Sequence, residues 1–403
     1  VIKVEQPGVG DQMRTTMANN KLADLKLSPG FMGVNANKRA ITVDLKHPKA
    51  KEIIHRLLAD ADVVLENFKA GVIERLGFGY EAVRAVKPDI IYCSVSGYGQ
   101  QGPMAGKAAY DGAIQAVSGM MGITGTPESG PMRAGYMPAD ISTGITAAFA
   151  ISSALFRRTH TGEGQYLDVS MLDSAMTIMS PNLNKFLATG QEPELVGNTS
   201  PTFQGTANTW PTKDGYMQVS VITDKMTATL VGLLDHPEWA DDARFATSQG
   251  RVEHNDAVKA LIGEVLLSNS TAHWIEHLGE RGIPVAPVNS LTQLMEFPQL
   301  AHRGILATVP APPGVEGEIT MTGAGFHASN GEPKVTSAGP RLSQHTDEVL
   351  GELGYDAVRP GRWEEFRYAI RARFAVDDTG FNALRIVTPD RADSTSIRDV
   401  RVN

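Results

Sequence analysis

Residues 41–96 alternate short apolar runs with helical periodicity, and this alternation constrains the fold more than any other feature of the chain. Residues 41–45 (ITVDL) read as a β-like run, Pro48 sits where a helix takes its first residue, and Ile53, Ile54, Leu57 and Leu58 recur on one helical face. Residues 61–65 (ADVVL) and 89–95 (DIIYCSV) are near-continuous apolar runs, separated by a helical stretch over 80–86 that Pro88 ends. Strands alternating with helices predict a Rossmann-like α/β domain with a parallel sheet. Ligands of such sheets bind beyond the carboxyl ends of strands. Those ends here carry Glu66-Asn67-Phe68-Lys69 and Ser96-Gly97-Tyr98-Gly99. The chain opens with VIKVEQPGVGD, in which Val1, Ile2 and Val4 read as a strand already under way and Gly8 and Gly10 as its exit turn, so an upstream segment is expected.

Further along, residues 141–156 predict a helix in which Ile145, Phe149, Ile151 and Leu155 stand among small residues. Residues 165–169 read as a strand, and 171–179 as a Met-rich helix whose methionines are core filler. From about residue 198 the texture changes. A loop with Pro201, Gly205 and Pro211 leads to a hairpin turning at Asp214-Gly215, and helical patterns follow at 230–234, 258–267 and 272–278. With 403 residues, more than one core sustains, the expectation is a large Rossmann-like domain over 1–195 and 300–403 and a small, mostly helical α+β domain over 198–299. A helix is expected to open at 345–350 with Thr346 or Asp347 as its cap, and residues 371–403 to form a loosely docked tail.

A net charge of −8 gives no footprint for nucleic acid or an anionic membrane, so an anionic ligand needs a local basic pocket. The single cysteine, Cys93, excludes an internal disulfide and reads as buried filler; with neither a signal peptide nor a long enough apolar run, a cytoplasmic protein outside the membrane is expected. Gly97, Gly99 and Gly102 spell a dinucleotide fingerprint, but Pro103 and Gly106 follow where that motif needs a helix, which leaves an NAD-dependent oxidoreductase as a rival of another class. His273, Glu276 and His277 match a zinc pattern. Trp274, Ile275 and Leu278 make the same stretch an amphipathic helix with those polar residues on its wet side, so no metal is expected.

One carboxylate stands apart. In residues 133–144, RAGYMPADISTG, Asp140 follows Pro138 by two positions at the start of a small-residue helix. By itself it reads as a helix N-cap, where the helix terminus would also keep it ionised.

Nine ordered blocks, VIKVEQPGVGD, NKRAITVDLK, ADVVLENFKAGVIERLGFGYE, SVSGYGQQGP, AAYDGAIQAVSG, GYMPADISTG, TGEGQYLDVSMLD, RGIPVAPVNS and HTDEVLGELGY, make the chain resemble the family III CoA-transferases (the CaiB/BaiF family), the group of formyl-CoA and carnitine CoA-transferases and α-methylacyl-CoA racemases. The resemblance covers most of residues 1–355 and implies that family's fold and an interlocked homodimer. It implies that Asp140 is the catalytic nucleophile. Contacts to coenzyme A would fall on Val43, Asp44, Leu45 and Lys46, on Asn67, Phe68 and Lys69, on Arg75, and on Ala108 through Tyr110 and Asp111. Lys46 and Arg75 would serve the nucleotide phosphates as point charge and fork.

The implied reaction moves CoA from an acyl-CoA to a small carboxylic acid through an aspartyl anhydride and an aspartyl-CoA thioester. It uses acyl-CoA as substrate and no tightly bound cofactor. An aspartate is a weak nucleophile in water and needs positioning in a drier site; the loop 197–205 is the candidate lid. The racemase branch places a histidine where this chain has Tyr110, and a phenol with a pKa of about 10 is a poor base, which favours transfer. A non-catalytic CoA-binding protein is the third reading. The resemblance implies that the family's first strand, helix and near-active-site loop would lie upstream of Val1, and the sequence after Asp356 does not follow the family pattern.

Overall fold

The computed structural model describes residues 1–16, 20–355 and 384–387. The chain divides into two compact units, one of Val1–Ser118, Gly135–Ile178 and Ala301–Asn403, the other of Gly119–Ala134 and Met179–Leu300.

The first unit is built on a six-stranded sheet. Its strands are β1 (Ile2–Glu5), β2 (Arg39–Thr42), β3 (Val63–Glu66), β4 (Ile91–Ser96), β5 (Gln165–Ser170) and β6 (Leu384–Val387), in the order β2-β1-β6-β3-β4-β5. β1 pairs with β2, β3 with β4 and β4 with β5 in parallel, while β6 runs antiparallel between β1 and β3. The parallel expectation therefore holds for five strands and is corrected by the sixth. β6 also corrects the expected tail: Leu384-Arg385-Ile386-Val387 is a short β-forming run that fills the ladder positions between two strands. The rest of the expected tail lies outside the described residues.

Both faces of the sheet are covered, which explains the continuous apolar runs. On one face Ile53, Ile54, Leu57 and Leu58 of the Ala50–Ala59 helix pack with Ile2, Val4, Ile41, Val64 and Tyr92. The opposite face carries the Pro138–Thr161 helix, whose Ala147 meets Cys93 and Val169 and whose Ala154 meets Val63 and Ile91. Alanines at those positions let the helix lie close. Burial pushes the Cys93 thiol up to about 12, so it is an inert core group. Pro138 occupies the first turn of this helix, and Gly162 (φ 70°) closes it with its N–H on the Arg158 carbonyl at 2.8 Å. Arg158 in turn grips Asp62 Oδ1 at 2.5 Å and the Asp89 carbonyl at 3.1 Å, fixing the helix's carboxyl end at the entrances to β3 and β4.

The helix's other side is open: Ile141, Ile145, Phe149 and Phe156 are exposed. By length and composition alone this 24-residue helix could cross a membrane, contrary to the expectation from the apolar runs, though its small-residue side is packed on the sheet.

The Thr346–Glu352 helix corrects a second expectation. His345 holds the N-cap position without a side-chain cap bond, and the Thr346 hydroxyl accepts the Thr42 N–H at 3.1 Å, tying the helix to β2 instead.

In the second unit, Ala207–Pro211, Tyr216–Ser220 and Val285–Pro287 form an antiparallel three-stranded sheet whose first hairpin turns at Asp214-Gly215. The helices Asp224–Leu233, Asn255–Leu266 and Thr271–Gly279 close its core around Trp210, Phe245 and Trp274. In the last of them Trp274 and Leu278 face inward, and His277 Nε2 lies 3.0 Å from the Leu233 carbonyl. Among the described residues no group of three His, Cys, Asp or Glu side chains is placed to hold a metal.

Candidate active site

The five parallel strands deliver their carboxyl ends to one edge of the sheet. The Pro138–Thr161 helix runs against them, so its carboxyl end sits at the strand entrances and its amino end at that same exit edge. Asp140 lies about 10 Å along the axis beyond Ala147, at 1.5 Å per residue. It is half-buried and occupies the first helical turn, three residues past the N-cap position, which Met137 fills.

Asp140 is therefore not the cap that the local sequence suggests. The capping side chain is Asp111, which opens the Asp111–Val117 helix and is 4% exposed. Its Oδ2 accepts the N–H of Ala139 at 2.9 Å and of Asp140 at 3.3 Å, and its Oδ1 accepts from Gln115 Nε2. Two carboxylates thus stand at one helix amino terminus, whose dipole favours negative charge and whose Ala139 and Asp140 N–H groups are taken by Asp111.

The other expected residues divide by what their side chains already do. Val43 and Phe68 are buried, with Phe68 in the main core, and Leu45 packs against that core. Asn67 Nδ2 donates to the Val95 carbonyl at 2.8 Å, lacing the end of β3 to β4. Asp44 Oδ1 accepts the Lys46 N–H at 3.0 Å, turning the chain after β2 so that the Lys46 side chain is exposed. Arg75, Ala108 and Tyr110 are exposed and Lys69 is half-buried, so the cationic groups Lys46, Lys69 and Arg75 all follow exits of β2 and β3.

The glycine segment 97–102 is a loop with no helix after it until Asp111, which removes the dinucleotide reading of the motif. A Cβ on Gly97 would stand 2.3 Å from Ala109 Cβ, so the segment passes close against the 108–110 stretch. Ser96 Oγ accepts the Gly99 N–H at 3.0 Å and Asp168 Oδ2 the Gln100 N–H at 2.9 Å. The 197–205 loop is tied at both ends of its run, by Gly197 N–H to the Gly125 carbonyl at 2.7 Å and by Arg251 Nε to Gln204 Oε1 at 2.8 Å.

Sequence reading placed Glu66 at a strand end without giving it a role, and passed over Asp168. Glu66 is 1% exposed, and its Oε2 accepts the Phe68 N–H at 2.7 Å. Burial above all, with the charges of Glu74 and Asp168, pushes its carboxyl up to about 7, against the opposing pull of the Ser94 hydroxyl and the Phe68 N–H. The signal was a carboxylate inside an apolar strand run, V-V-L-E.

An acid at a helix amino end, at the exit edge of a mostly parallel sheet whose β2 and β3 exits lead to lysine and arginine, is the arrangement of a Rossmann-like α/β protein. Residues 1–346 match CoA-transferase family III. The chain belongs to that family. It is 34% identical to a succinate–glutarate CoA-transferase of Agrobacterium fabrum, over 88% of each chain. It is 33% identical to the human succinyl-CoA:glutarate CoA-transferase, over 88% of this chain and 80% of that one. An acetyl-CoA:oxalate CoA-transferase of Acetobacter aceti is 34% identical over 85% of this chain and 87% of its own. Among solved structures, a CaiB/BaiF family protein from Brucella suis superposes with a TM-score of 0.75 at 34% identity, covering 88% of this chain and 91% of the other. The protein is thus a CoA-transferase.

Proposed function

We propose that this enzyme exchanges CoA between an acyl-CoA and a free dicarboxylic acid, with Asp140 as covalent nucleophile. The observation that carries the reading is Asp140 in the first turn of the Pro138–Thr161 helix, its backbone N–H and that of Ala139 held by the buried Asp111 carboxylate. The dicarboxylic acid follows the named substrates of the relatives, which include glutarate, oxalate and mesaconate.

The steps balance without redox chemistry. An Asp140 oxygen attacks the thioester carbonyl and the C–S bond breaks, giving an aspartyl acyl anhydride and CoA thiolate. The thiolate attacks the aspartyl carbonyl and expels the donor acid as its carboxylate. The acceptor carboxylate then attacks the aspartyl-CoA thioester and forms a second anhydride. Returning thiolate takes the acceptor acyl group and frees Asp140. Each tetrahedral intermediate carries an oxyanion that glycine-loop N–H groups are suited to receive. Lys46, Lys69 and Arg75 supply the cationic groups for the nucleotide phosphates, Arg as a fork and Lys as point charges. Tyr110, in place of a basic histidine, argues against α-proton abstraction. A second copy of the chain is the proposed partner, and the reducing cytoplasm the proposed compartment for its lone thiol.

The test is to incubate the enzyme with succinyl-CoA, trap with hydroxylamine or borohydride, and locate the modified peptide by mass spectrometry. The expected adduct lies on Asp140, and Asp140→Ala is expected to lose at least about a thousandfold in kcat/KM. An Asp140→Ala variant that keeps activity, with no adduct in the wild type, would sink the mechanism. A panel of succinyl-, acetyl-, formyl- and mesaconyl-CoA against glutarate, oxalate and mesaconate fixes the substrates.

A further inference from the structure

The loop after β4, residues 97–106, carries a polar group that neither the fold nor the proposed chemistry uses. Gln100 is half-buried, and its Nε2 is wholly buried with no hydrogen-bond partner among the described residues. A buried donor left unpaired is costly, and in a folded protein it calls for an explanation. The backbone around it is well held. The Gln100 N–H donates to Asp168 Oδ2 at 2.9 Å and the Gly99 N–H to Ser96 Oγ at 3.0 Å. The orphan is the carboxamide alone, on a loop whose position is fixed.

That position lies between the two ends of the proposed acyl-CoA site. At one end, a Cβ on Gly106 would stand 3.9 Å from the Ala70 carbonyl oxygen, so the loop borders the turn that carries Lys69. At the other, Gly97 abuts Ala109, two residues before the Asp111 that holds the Ala139 and Asp140 N–H groups. The Pro138–Thr161 helix leans across the sheet in the same direction. Ala154 packs with Val63 of β3 and Ile91 of β4, whereas Ala147 packs with Cys93 of β4 and Val169 of β5. Asp140, further toward the amino end, therefore stands on the β4–β5 side, while Lys46, Lys69 and Arg75 follow β2 and β3. A thioester at Asp140 with its phosphates at those cations lays its connecting arm across the exit of β4. The polar groups of that arm include amide carbonyls, which accept hydrogen bonds.

We propose that Gln100 is a binding residue for the arm of the acyl-CoA, its carboxamide N–H donating to an amide carbonyl of the pantetheine. The proposal rests on the reading that the nucleotide lies at the β2 and β3 exits. The donor reaches the arm by a rotation of the side chain, with the backbone bond to Asp168 left in place. Gln100 then contributes affinity for the arm and none for the phosphates.

The experiment is calorimetric titration of the full chain with coenzyme A and, separately, with adenosine 3′,5′-bisphosphate, which lacks the arm. Gln100→Ala is expected to weaken coenzyme A about threefold to tenfold, the worth of one neutral hydrogen bond, and to leave the bisphosphate unchanged. Gln100→Glu, of the same size but without the donor, should weaken coenzyme A at least as much. In turnover the same factor should appear in KM for succinyl-CoA with kcat kept. The double change Lys46→Ala and Arg75→Ala should weaken both ligands. Circular dichroism checks that each variant is folded. If Gln100→Ala binds coenzyme A as the wild type does, loses both ligands equally, or loses kcat rather than KM, the role of Gln100 is wrong while the CoA site stands. If the wild type does not bind coenzyme A, or the double variant binds it unchanged, the site reading falls and the role of Gln100 with it.

Discussion

Asp111 spends its carboxylate on the N–H groups of Ala139 and Asp140, and this small fact separates what a sequence displays from what a fold arranges. Asp140 could be picked out because its block is distinctive, yet its neighbourhood argued for an N-cap. The cap comes instead from 28 residues upstream, a distance over which no local pattern carries information. Removing it is predicted to cost twice. Asp111→Ala should destabilise by about 1–2 kcal/mol, the usual loss of a side-chain cap, read as a lower urea midpoint. It should also lower kcat/KM, because the first turn that carries Asp140 loses its anchor. Asp111→Asn keeps an acceptor and should retain more of both stability and activity. Equal losses for the two variants would mean that the charge, not the hydrogen bond, is what matters. Glu66 was readable in principle, as a carboxylate closing an apolar run, but whether it lay inside or outside depended on β3 being covered on that face.

At the scale of elements, periodicity served well where strands and helices are buried on the faces the pattern names. The 80–86 helix and the strands ending at Glu66 and Ser96 stand where alternation puts them. β6 was not legible, because four apolar-rich residues in a polar stretch acquire a strand only from the neighbours that pair with them. The glycine loop offers a direct test of packing. Gly97→Ala would set a methyl 2.3 Å from Ala109 Cβ, so overpacking of roughly 1–3 kcal/mol is expected. Melting temperature should fall, whereas Gly122→Ala, with nothing within 4 Å of its added methyl, should leave it unchanged. The buried carboxyl of Glu66 also makes stability depend on pH. Its carboxyl is raised from the ordinary 4.5 to about 7, so the folded state holds a proton that the unfolded chain releases. The sign follows: this contribution is fully present below about pH 4.5 and is lost as pH rises through about 7. At 1.36 kcal/mol per unit it amounts to about 3 kcal/mol. Urea titrations at pH 5 and pH 8 should show a decline in the wild type that Glu66→Gln reduces; an identical decline in both would place the proton elsewhere.

For the whole molecule, the strongest remaining clue is what the Pro138–Thr161 helix leaves uncovered. Its small-residue side lies on the sheet, but Ile141, Ile145, Phe149 and Phe156 are 53%, 65%, 73% and 68% exposed. Scattered apolar residues need no explanation, but Ile141, Ile145 and Phe149 follow one another at one-turn spacing and form a stripe. Their pattern is also why this one helix has the composition of a membrane span. The family resemblance implies an interlocked dimer, and a second copy would bury such a stripe without any membrane. The prediction is that the wild type sediments at about twice its 43.2 kDa chain mass. The double change Ile145→Glu and Phe149→Glu puts two charges where apolar contact is required, so it should shift the protein to monomer while its circular dichroism stays native. A wild type that sediments as a single chain would remove the dimer. A double variant that stays dimeric would move the interface to another face.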